Sequence, residues 1–410
     1  MGNKTVKFIS LLVLFLALAG LAVYGASCSS SSSSKTSCTS NAQCLNGQVC
    51  TNGSCVVATT CTSNSQCSNG QVCQNGSCVT STSCTSNAQC SSGQVCQNGS
   101  CVTQNTGEEF TYTVASATGI AIDASGNAWV TNGSNSNNIT VTKLSASGTT
   151  IGTYAMGGTG NGIAIDSSGN VWVGVITGGN VDVIEMTSSG TTVGTYPLNS
   201  IYDSWGMEID LSGNVWVADG FNNEVTKLSS SGTVIGTYSL STKPQGIAID
   251  ASGNVWVVNQ GSNNVTKLSS SGTVIGTYAV GSGPDGIAID ASGNVWVANT
   301  SDGTVTKLNS SGSTIGTYTL DSGVRDIAID ASGDAWVTND NKNNVTDLSS
   351  SGAIKGTYPA VAAPVGIAID ASGNVWVADQ HDNAVTKIVG VAKGPQYFPY
   401  SGPIFPGGNI

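Results

Sequence analysis

Glu208 and His381 are the two side chains of this 410-residue chain whose types and settings suit proton transfer. His381 is the single histidine, and Glu208 stands in a short apolar segment whose counterparts elsewhere in the chain carry alanine. Imidazole and carboxylate groups are frequent general acids and bases in proteins. The two residues are therefore the candidate catalytic pair, provided that the fold brings them together.

A wider set of charged and aromatic residues suits ligand binding. Most members stand where an otherwise repetitive sequence departs from its pattern, whereas Asp219, Asp340 and Asp379 end a strand-like segment and are expected to lie on the same face as the others. Such a mixture of groups suits a small polar ligand. Ordinary variation among solvent-exposed loops is the alternative, and the sequence leaves both interpretations open. With Glu208 and His381, the candidate ligand-binding residues are Asp203, Trp205, Asp219, Arg325, Asp326, Asp340 and Asp379.

The element that must position these residues is a repeat of about 40 residues. Each copy opens with a short apolar segment, passes through an aspartate turn into a Val-Trp-Val-like segment, and adds two further strand-like segments. Four short strands per copy, with no helical pattern between them, predict an all-β fold, a seven-bladed β-propeller. The seven copies begin at Gly119, Gly162, Gly206, Gly246, Gly286, Asp326 and Gly366.

The propeller is predicted to span residues 110–393 and to be closed by its N-terminal strand. Gly-Thr-Tyr fourth strands occur in six copies, whereas the seventh copy ends after its third strand. Residues 110–114, ahead of the first copy, are expected to supply the missing strand. A ring closed in this way leaves no open sheet edge for aggregation.

Residues that recur in every copy are predicted to build the blades. The aspartate of each turn is expected to accept backbone hydrogen bonds from the residues after it, which is simpler than seven metal sites. The tryptophan of each second strand is assigned to the core. The lysines of the third strands are assigned to a solvated face; they are Lys143, Lys227, Lys267, Lys307 and Lys387.

The copies resemble NHL-type repeats, and especially those of the virginiamycin B lyase family, whose units also run from glycine through an Asp-x-x-Gly-Asn turn to Val-Trp-Val. The resemblance covers residues 110–393. It implies a seven-bladed propeller, and it implies a lyase with histidine and glutamate acid–base groups and a magnesium ion in the propeller mouth. His381 does not fall on a recognisable catalytic position of that family, and blades 3 and 7, which carry Glu208 and His381, are not neighbours in the ring.

A binding or scaffold protein that uses the propeller for recognition is therefore our first functional hypothesis, with no cofactor required. The alternative is a lyase or lactone hydrolase that uses magnesium or calcium at the propeller mouth. The chain has a formal net charge of −11 and only 9% charged residues. Such a surface repels nucleic-acid phosphates and suits a small polar ligand, a glycan or another protein. We expect a monomer.

The first 27 residues have the pattern of an export signal, with Lys4 and Lys7 ahead of an apolar run. The segment that ends at Cys28 resembles a bacterial lipobox, which implies cleavage before Cys28 and a lipid anchor on that cysteine. Ordinary signal cleavage and a retained single-span anchor are the alternatives. Residues 28–37 form a serine-rich tether. The prediction is a lipid-anchored protein of the bacterial cell envelope that faces the periplasm or the exterior, or otherwise a secreted protein.

Twelve of the 13 cysteines form three modules within residues 38–102, with four cysteines in each. Modules this small cannot bury a core, so two disulfides are expected in each, and three pairings are open per module. Zinc sites need cysteine pairs with closer spacing, such as Cys-x2-Cys, and a reducing or metal-rich compartment. An exported chain with this spacing offers neither. Residues 103–109 are assigned to a linker and residues 394–410 to an irregular tail. The disulfide candidates are Cys38, Cys44, Cys50, Cys55, Cys61, Cys67, Cys73, Cys78, Cys84, Cys90, Cys96 and Cys101.

Overall fold

The computed structural model describes residues 107–132, 139–158, 160, 162–177, 180–198 and 206–394, together with the backbone of six short strands between residues 48 and 103. The chain divides into two units, Met1–Ser81 and Thr82–Ile410. Cys28 and the export signal lie outside the described residues, and the cysteine side chains of the predicted disulfides are likewise not described. The short strands form three antiparallel pairs: β1 Gln48–Thr51 with β2 Ser54–Val57, β3 Gln71–Gln74 with β4 Ser77–Thr80, and β5 Gln94–Gln97 with β6 Ser100–Thr103.

Seven four-stranded antiparallel sheets follow, and the described residues contain no α-helix. We number the sheets as blades 1 to 7. Blades 1 to 3 are β8 Ala117–Ile122, β9 Ala128–Asn132, β10 Thr140–Leu144, β11 Thr150–Ala155; β12 Ile163–Ile165, β13 Val171–Thr177, β14 Asn180–Met186, β15 Thr192–Leu198; and β16 Met207–Ile209, β17 Val215–Asp219, β18 Glu224–Leu228, β19 Val234–Ser239.

Blades 4 to 7 repeat the same strand order. They are β20 Pro244–Ile249, β21 Val255–Asn259, β22 Asn264–Leu268, β23 Val274–Ala279; β24 Pro284–Ile289, β25 Val295–Asn299, β26 Thr304–Leu308, β27 Thr314–Thr319; β28 Val324–Ile329, β29 Ala335–Asn339, β30 Asn344–Leu348, β31 Ile354–Pro359; and β32 Pro364–Ile369, β33 Val375–Asp379, β34 Ala384–Ile388, with β7 Glu109–Thr113 paired to β34.

Burial along each blade follows the sequence pattern. The first strands of neighbouring blades lie against one another, so they line the centre of the ring. Second strands such as β25 are buried at every position because a neighbouring sheet covers each face. Fourth strands such as β27 alternate between exposed and partly buried residues, as expected at the outer edge. The core therefore lies between the sheets.

Each interface between blades contains one hydrophobic cluster, and one fully buried tryptophan contributes to each cluster. Trp296 of blade 5, for example, packs with Val324 and Ile327 of blade 6. The cluster that contains Trp376 of blade 7 also contains Ile120 of blade 1, so the last blade packs against the first. The prediction of an all-β seven-bladed propeller with one core tryptophan per blade is confirmed.

The turn aspartates accept backbone hydrogen bonds, as predicted. In blade 4, Asp250 Oδ1 accepts from Ser252 N at 3.0 Å and from Asn254 N at 2.9 Å. Its other oxygen, Oδ2, accepts from Trp256 Nε1 at 3.1 Å. The aspartate thus holds both the turn and the core tryptophan in place.

The assignment of the third-strand lysines to a solvated face is wrong. Lys267 is 8% exposed, and its Nζ lies 3.2 Å from Asp250 Oδ2 and 4.5 Å from the centre of the Trp256 ring. It also donates to Ser310 O of the next blade at 2.9 Å. A lysine is stable there because a carboxylate, an aromatic face and a carbonyl all compensate its charge. The sequence pattern does not reveal this, because the partners come from different strands.

The fourth-strand tyrosines join each blade to the next one. Tyr278 lies against Trp256 of its own blade in a tilted arrangement, and its ring fills the space that a Cβ at Gly312 of blade 5 would need. The same contact exists between β7 and blade 1, where Tyr112 lies against Gly148. Lys387 of blade 7 donates to Ala146 O of blade 1 at 2.7 Å, in the same way as the other buried lysines.

No helix among the described residues is long and apolar enough to cross a membrane.

Beyond β34 the described chain ends at Gly394, and its last part contacts blade 6. Lys393 N donates to Asp330 Oδ2 at 2.9 Å, and Ala331 N donates to Lys393 O at 3.2 Å. The predicted tail from residue 395 onward lies outside the described residues.

Candidate functional site

A pocket of about 220 Å³ opens where the first strands begin, at the mouth of the ring. It is built mainly on blades 5, 6, 7 and 1, and four of its lining residues are glycines of the repeat. Glycine at Gly246, Gly286 and Gly366 lets neighbouring first strands approach closely, because a Cβ there would overlap a backbone carbonyl oxygen of the next blade. The pocket is lined by Thr118, Gly119, Gly246, Asp285, Gly286, Arg325, Asp326, Val365, Gly366 and Gln380.

Arg325 is held at the pocket by two carboxylates. Its Nε donates to Asp340 Oδ2 at 2.6 Å, and its Nη1 lies 3.4 Å from Asp285 Oδ2. Burial raises the pKa of Asp285, although the neighbouring guanidinium opposes this shift. Arg325 lies at the start of β28 and Asp340 directly after β29, so the loops before first strands and after second strands share one face of the ring.

Asp326 occupies the position at which the other six copies of the repeat carry glycine. Its Oδ1 accepts from Ile327 N at 2.8 Å, and its Oδ2 accepts from Ile367 N of blade 7 at 3.2 Å. Burial is the main cause that raises the pKa of Asp326 to about 7. A carboxyl group in this setting can hold or release a proton near neutral pH.

Glu208 lies in β16, at the position where the other blades have a buried alanine. It is 7% exposed, and its Oε1 accepts from Ile209 N at 3.2 Å. Burial raises its pKa to about 7. The side chain is not among the described residues that line the pocket. No hydrogen bond or ion pair between described residues joins it to His381, which is exposed in the loop after β33.

Asp379 and Asp219 occupy the same position, the last residue of the second strand, in blades 7 and 3. Asp219 Oδ1 accepts from Phe221 N at 3.0 Å and Asn222 N at 2.9 Å, so it caps the following loop. Asp379 is fully buried, and its Oδ2 accepts from Thr386 Oγ1 at 2.8 Å. Burial raises the pKa of Asp379 to about 8. Neither residue is among those that line the described pocket.

The structure thus brings together Arg325, Asp326 and Asp340 among the residues selected from the sequence. Asp203 and Trp205 lie outside the described residues. Asp285 was missed, although a signal for it exists. It immediately precedes the first-strand glycine, and the residues at this position differ in every copy: Thr118, Asn161, Trp205, Gln245, Asp285, Arg325 and Val365.

The described residues contain no group of three or more His, Cys, Asp or Glu side chains arranged to hold a metal ion. At the pocket, Asp285 and Asp340 are both directed at Arg325, and both oxygens of Asp326 accept backbone N–H groups. These carboxylates therefore do not supply a ligand set for the magnesium that the lyase resemblance implies, or for calcium.

The architecture defines the chain as a seven-bladed β-propeller with a charged pocket at its mouth. Residues 277–325 match the family model described as SMP-30/Gluconolactonase/LRE-like region. No curated protein sequence matches the chain.

Three solved structures illustrate what the fold is similar to. A streptogramin B lyase is 19% identical, with 68% of this chain and 96% of that chain covered and a TM-score of 0.60. A catalytically inactive virginiamycin B lyase variant from Staphylococcus aureus, solved with quinupristin, is 20% identical, with coverage of 68% and 99% and a TM-score of 0.60. The Kuenenia stuttgartiensis hydrazine synthase is 15% identical, with coverage of 67% and 96% and a TM-score of 0.58. At such identities the likeness concerns the fold.

Proposed function

We propose that this protein is an exported, lipid-anchored binding protein whose propeller mouth recognises a small polar ligand. One observation carries the proposal: the charged residues Asp285, Arg325 and Asp326 converge on one pocket, in a ring whose blades are otherwise nearly identical. Repeated residues are explained by blade construction, whereas these three are not. Binding residues are commonly placed on loops that a rigid scaffold positions.

The size and chemistry of the pocket limit the range of ligands that can bind there. Its volume of about 220 Å³ is below the roughly 300–1,000 Å³ of pockets that enclose drug-sized ligands. A ligand of about one ring, or one terminal group of a glycan or protein, fits this space. Carboxylates accept hydrogen bonds and the guanidinium donates them, so the ligand carries polar groups of more than one type.

The test is a panel of small polyols, amines and hydroxy acids, with binding to the purified full-length chain measured by thermal shift and titration. Replacing Asp285 by asparagine should weaken binding of the active ligand about tenfold, because a hydrogen bond to a charged group is lost. Asp182→Asn makes the same charge change on β14 in blade 2 and should leave binding unchanged. Equal affinity in all three proteins would place the ligand elsewhere.

A lyase or lactone hydrolase is the second candidate, and Asp326 favours it. A partly buried carboxyl group with a pKa of about 7 in a pocket is suited to general acid–base catalysis. The same preparation can be assayed with a lactone and a streptogramin B substrate, with and without added magnesium or calcium. A true activity should fall at least about 100-fold in Asp326→Asn. No turnover under any of these conditions rejects the candidate.

The proposed location rests on the sequence of the N-terminal region. In this proposal Cys28 carries the lipid, the disulfide modules serve as a spacer, and the propeller acts as a monomer at the bacterial cell envelope. Labelling with a palmitate analogue should mark the wild-type protein and should be lost in Cys28→Ala. Labelling that persists in the variant would contradict the lipid anchor.

Closure of the ring by β7 is part of the same proposal. Three kinds of contact support it: β7 pairs with β34, Tyr112 stacks on Trp376, and Ser116 N donates to Asn383 Oδ1 at 2.8 Å. The pairing joins the segment after the cysteine modules to the last blade. In a ring closed in this way, the blades that line the pocket keep fixed positions when a ligand binds.

A further inference from the structure

The charges around the mouth pocket are unbalanced. Arg325 is the only cationic side chain among the described residues that line it, and its guanidinium already forms ion pairs with Asp340 and Asp285. Asp326 lines the same pocket and has no cationic partner. Lys243 adds a weaker attraction for Asp285. Three carboxyl groups therefore surround one guanidinium, and acidic groups outnumber cationic groups at the pocket.

Asp326 shows this shortage most directly. Its two oxygens accept N–H groups from Ile327 and Ile367, which stabilise the carboxylate but do not neutralise it. Of the charged groups near it, Asp285 on β24 repels the ionised form. Burial raises the pKa of Asp326 to about 7, so the group holds a proton for much of the time at neutral pH.

The rim of the pocket adds hydrogen-bond acceptors. A Cβ built on Gly286 would lie 2.6 Å from Arg325 O, and one built on Gly246 would lie 2.6 Å from Asp285 O. The backbone of each first strand thus brings a carbonyl close to the glycine of the preceding blade. Carboxylates and carbonyl oxygens together form an environment for a donor-rich cation, in which an anion would compete with Asp285 and Asp340 for Arg325.

We infer that the mouth pocket takes a cationic ligand, a protonated amine, whose ammonium group sits beside Asp326 and Asp285. This inference rests on the proposed binding function and specifies its ligand class. Binding at neutral pH displaces the proton of Asp326: the ammonium keeps its own protons, the carboxyl group becomes a carboxylate, and one proton passes to solvent. Affinity therefore rises with pH while the amine remains protonated.

The experiment compares three ligands of equal size on one ring: trans-4-aminocyclohexanol, trans-1,4-cyclohexanediol and trans-4-hydroxycyclohexanecarboxylate. Their affinities for the full-length chain are measured by titration at pH 6, 7 and 8. The amine should bind at least about tenfold more tightly than the diol, and the carboxylate most weakly. Between pH 6 and pH 8 the amine should gain about tenfold, because Asp326 ionises over this range.

Asp326→Gly is the matched variant, since six copies of the repeat carry glycine there and the fold accommodates it. It should keep its thermal midpoint and lose both the amine preference and the pH effect. A diol or carboxylate that binds as tightly as the amine would overturn the inference and leave the binding function standing. If the amine does not bind while another member of the ligand panel does, the inference is likewise overturned and the binding function stands. Failure of the whole panel would reject the binding function itself.

Discussion

Replacing Asp379 by asparagine should raise the free energy of unfolding at pH 8 by roughly 1–3 kcal/mol. The carboxyl group is fully buried, and burial raises its pKa to about 8. Asn259 and Asn299 occupy the same position in blades 4 and 5, and each Nδ2 donates at 2.9 Å to the threonine that corresponds to Thr386. An amide therefore fits the site without carrying a charge.

The sign of the pH dependence follows from the raised pKa. Below about pH 4 the carboxyl group is protonated in both the folded and the unfolded chain and has no effect on the pH dependence. Between about pH 4 and about pH 8 the carboxyl group is ionised in the unfolded chain but still protonated in the folded chain, so wild-type stability falls as the pH rises through this range. Asp379→Asn removes this loss.

Urea unfolding at pH 4, 6 and 8 measures the effect. The difference between Asp379→Asn and the wild type should grow steadily with pH. Asp219→Asn is the control, because Asp219 occupies the same position in blade 3 and uses its charge to cap the next loop. That substitution should give no stabilisation. A constant difference across the three pH values would show that Asp379 is ionised in the folded protein.

Replacing Gly148 by alanine should destabilise the propeller by about 3 kcal/mol or more. Gly148 has φ +84°, and a Cβ there would overlap the ring of Tyr112 in β7. Tyr112 is fixed by its stacking on Trp376, with the ring centres 5.9 Å apart. The substitution therefore forces β7 away from the seam between blades 7 and 1, which tests the proposed closure.

Gly157→Ala separates backbone strain from this contact. Gly157 has φ +73°, and a Cβ there would meet nothing within 4 Å. It should cost only about 1 kcal/mol, the price of the left-handed backbone conformation. Urea unfolding of both variants, and of each combined with Tyr112→Ala, gives the coupling energy. If Gly148→Ala costs no more than Gly157→Ala, β7 does not hold the seam in solution.

Much of the fold could be predicted from the sequence because seven copies of one pattern resolve the choice between strand and helix, which a single short segment leaves open. A single Gly-Ile-Ala-Ile segment is short enough to belong to a strand or a helix, whereas its recurrence with a tryptophan segment after it is typical of a blade. The error with Lys267 shows the limit. A lysine on a polar third strand looks solvated, and only the neighbouring blade reveals Ser310 O as its partner.

The candidate site likewise contains residues that the sequence predicted and residues that only the structure revealed. Asp326 was recognisable because it replaces the glycine of the other six copies, and Arg325 stands directly before it; the structure places both at the mouth pocket. Asp285 occupies the same variable position as Arg325 but has the usual glycine after it, and its importance comes from its distance of 3.4 Å to Arg325 of the next blade. Glu208 breaks the repeat as strongly, yet it lies buried at the place of an alanine and not on the described pocket lining.

The sequence by itself determined the number of blades, the role of the turn aspartates and the positions at which this chain differs from its own repeat. These properties are local or periodic, and neighbouring residues along the chain decide them. The tertiary structure decided which differing residues meet, which lysines are buried and which carboxyl groups have raised pKa values. Those properties depend on distances and desolvation between strands that lie about 40 residues apart, as Asp285 and Arg325 do.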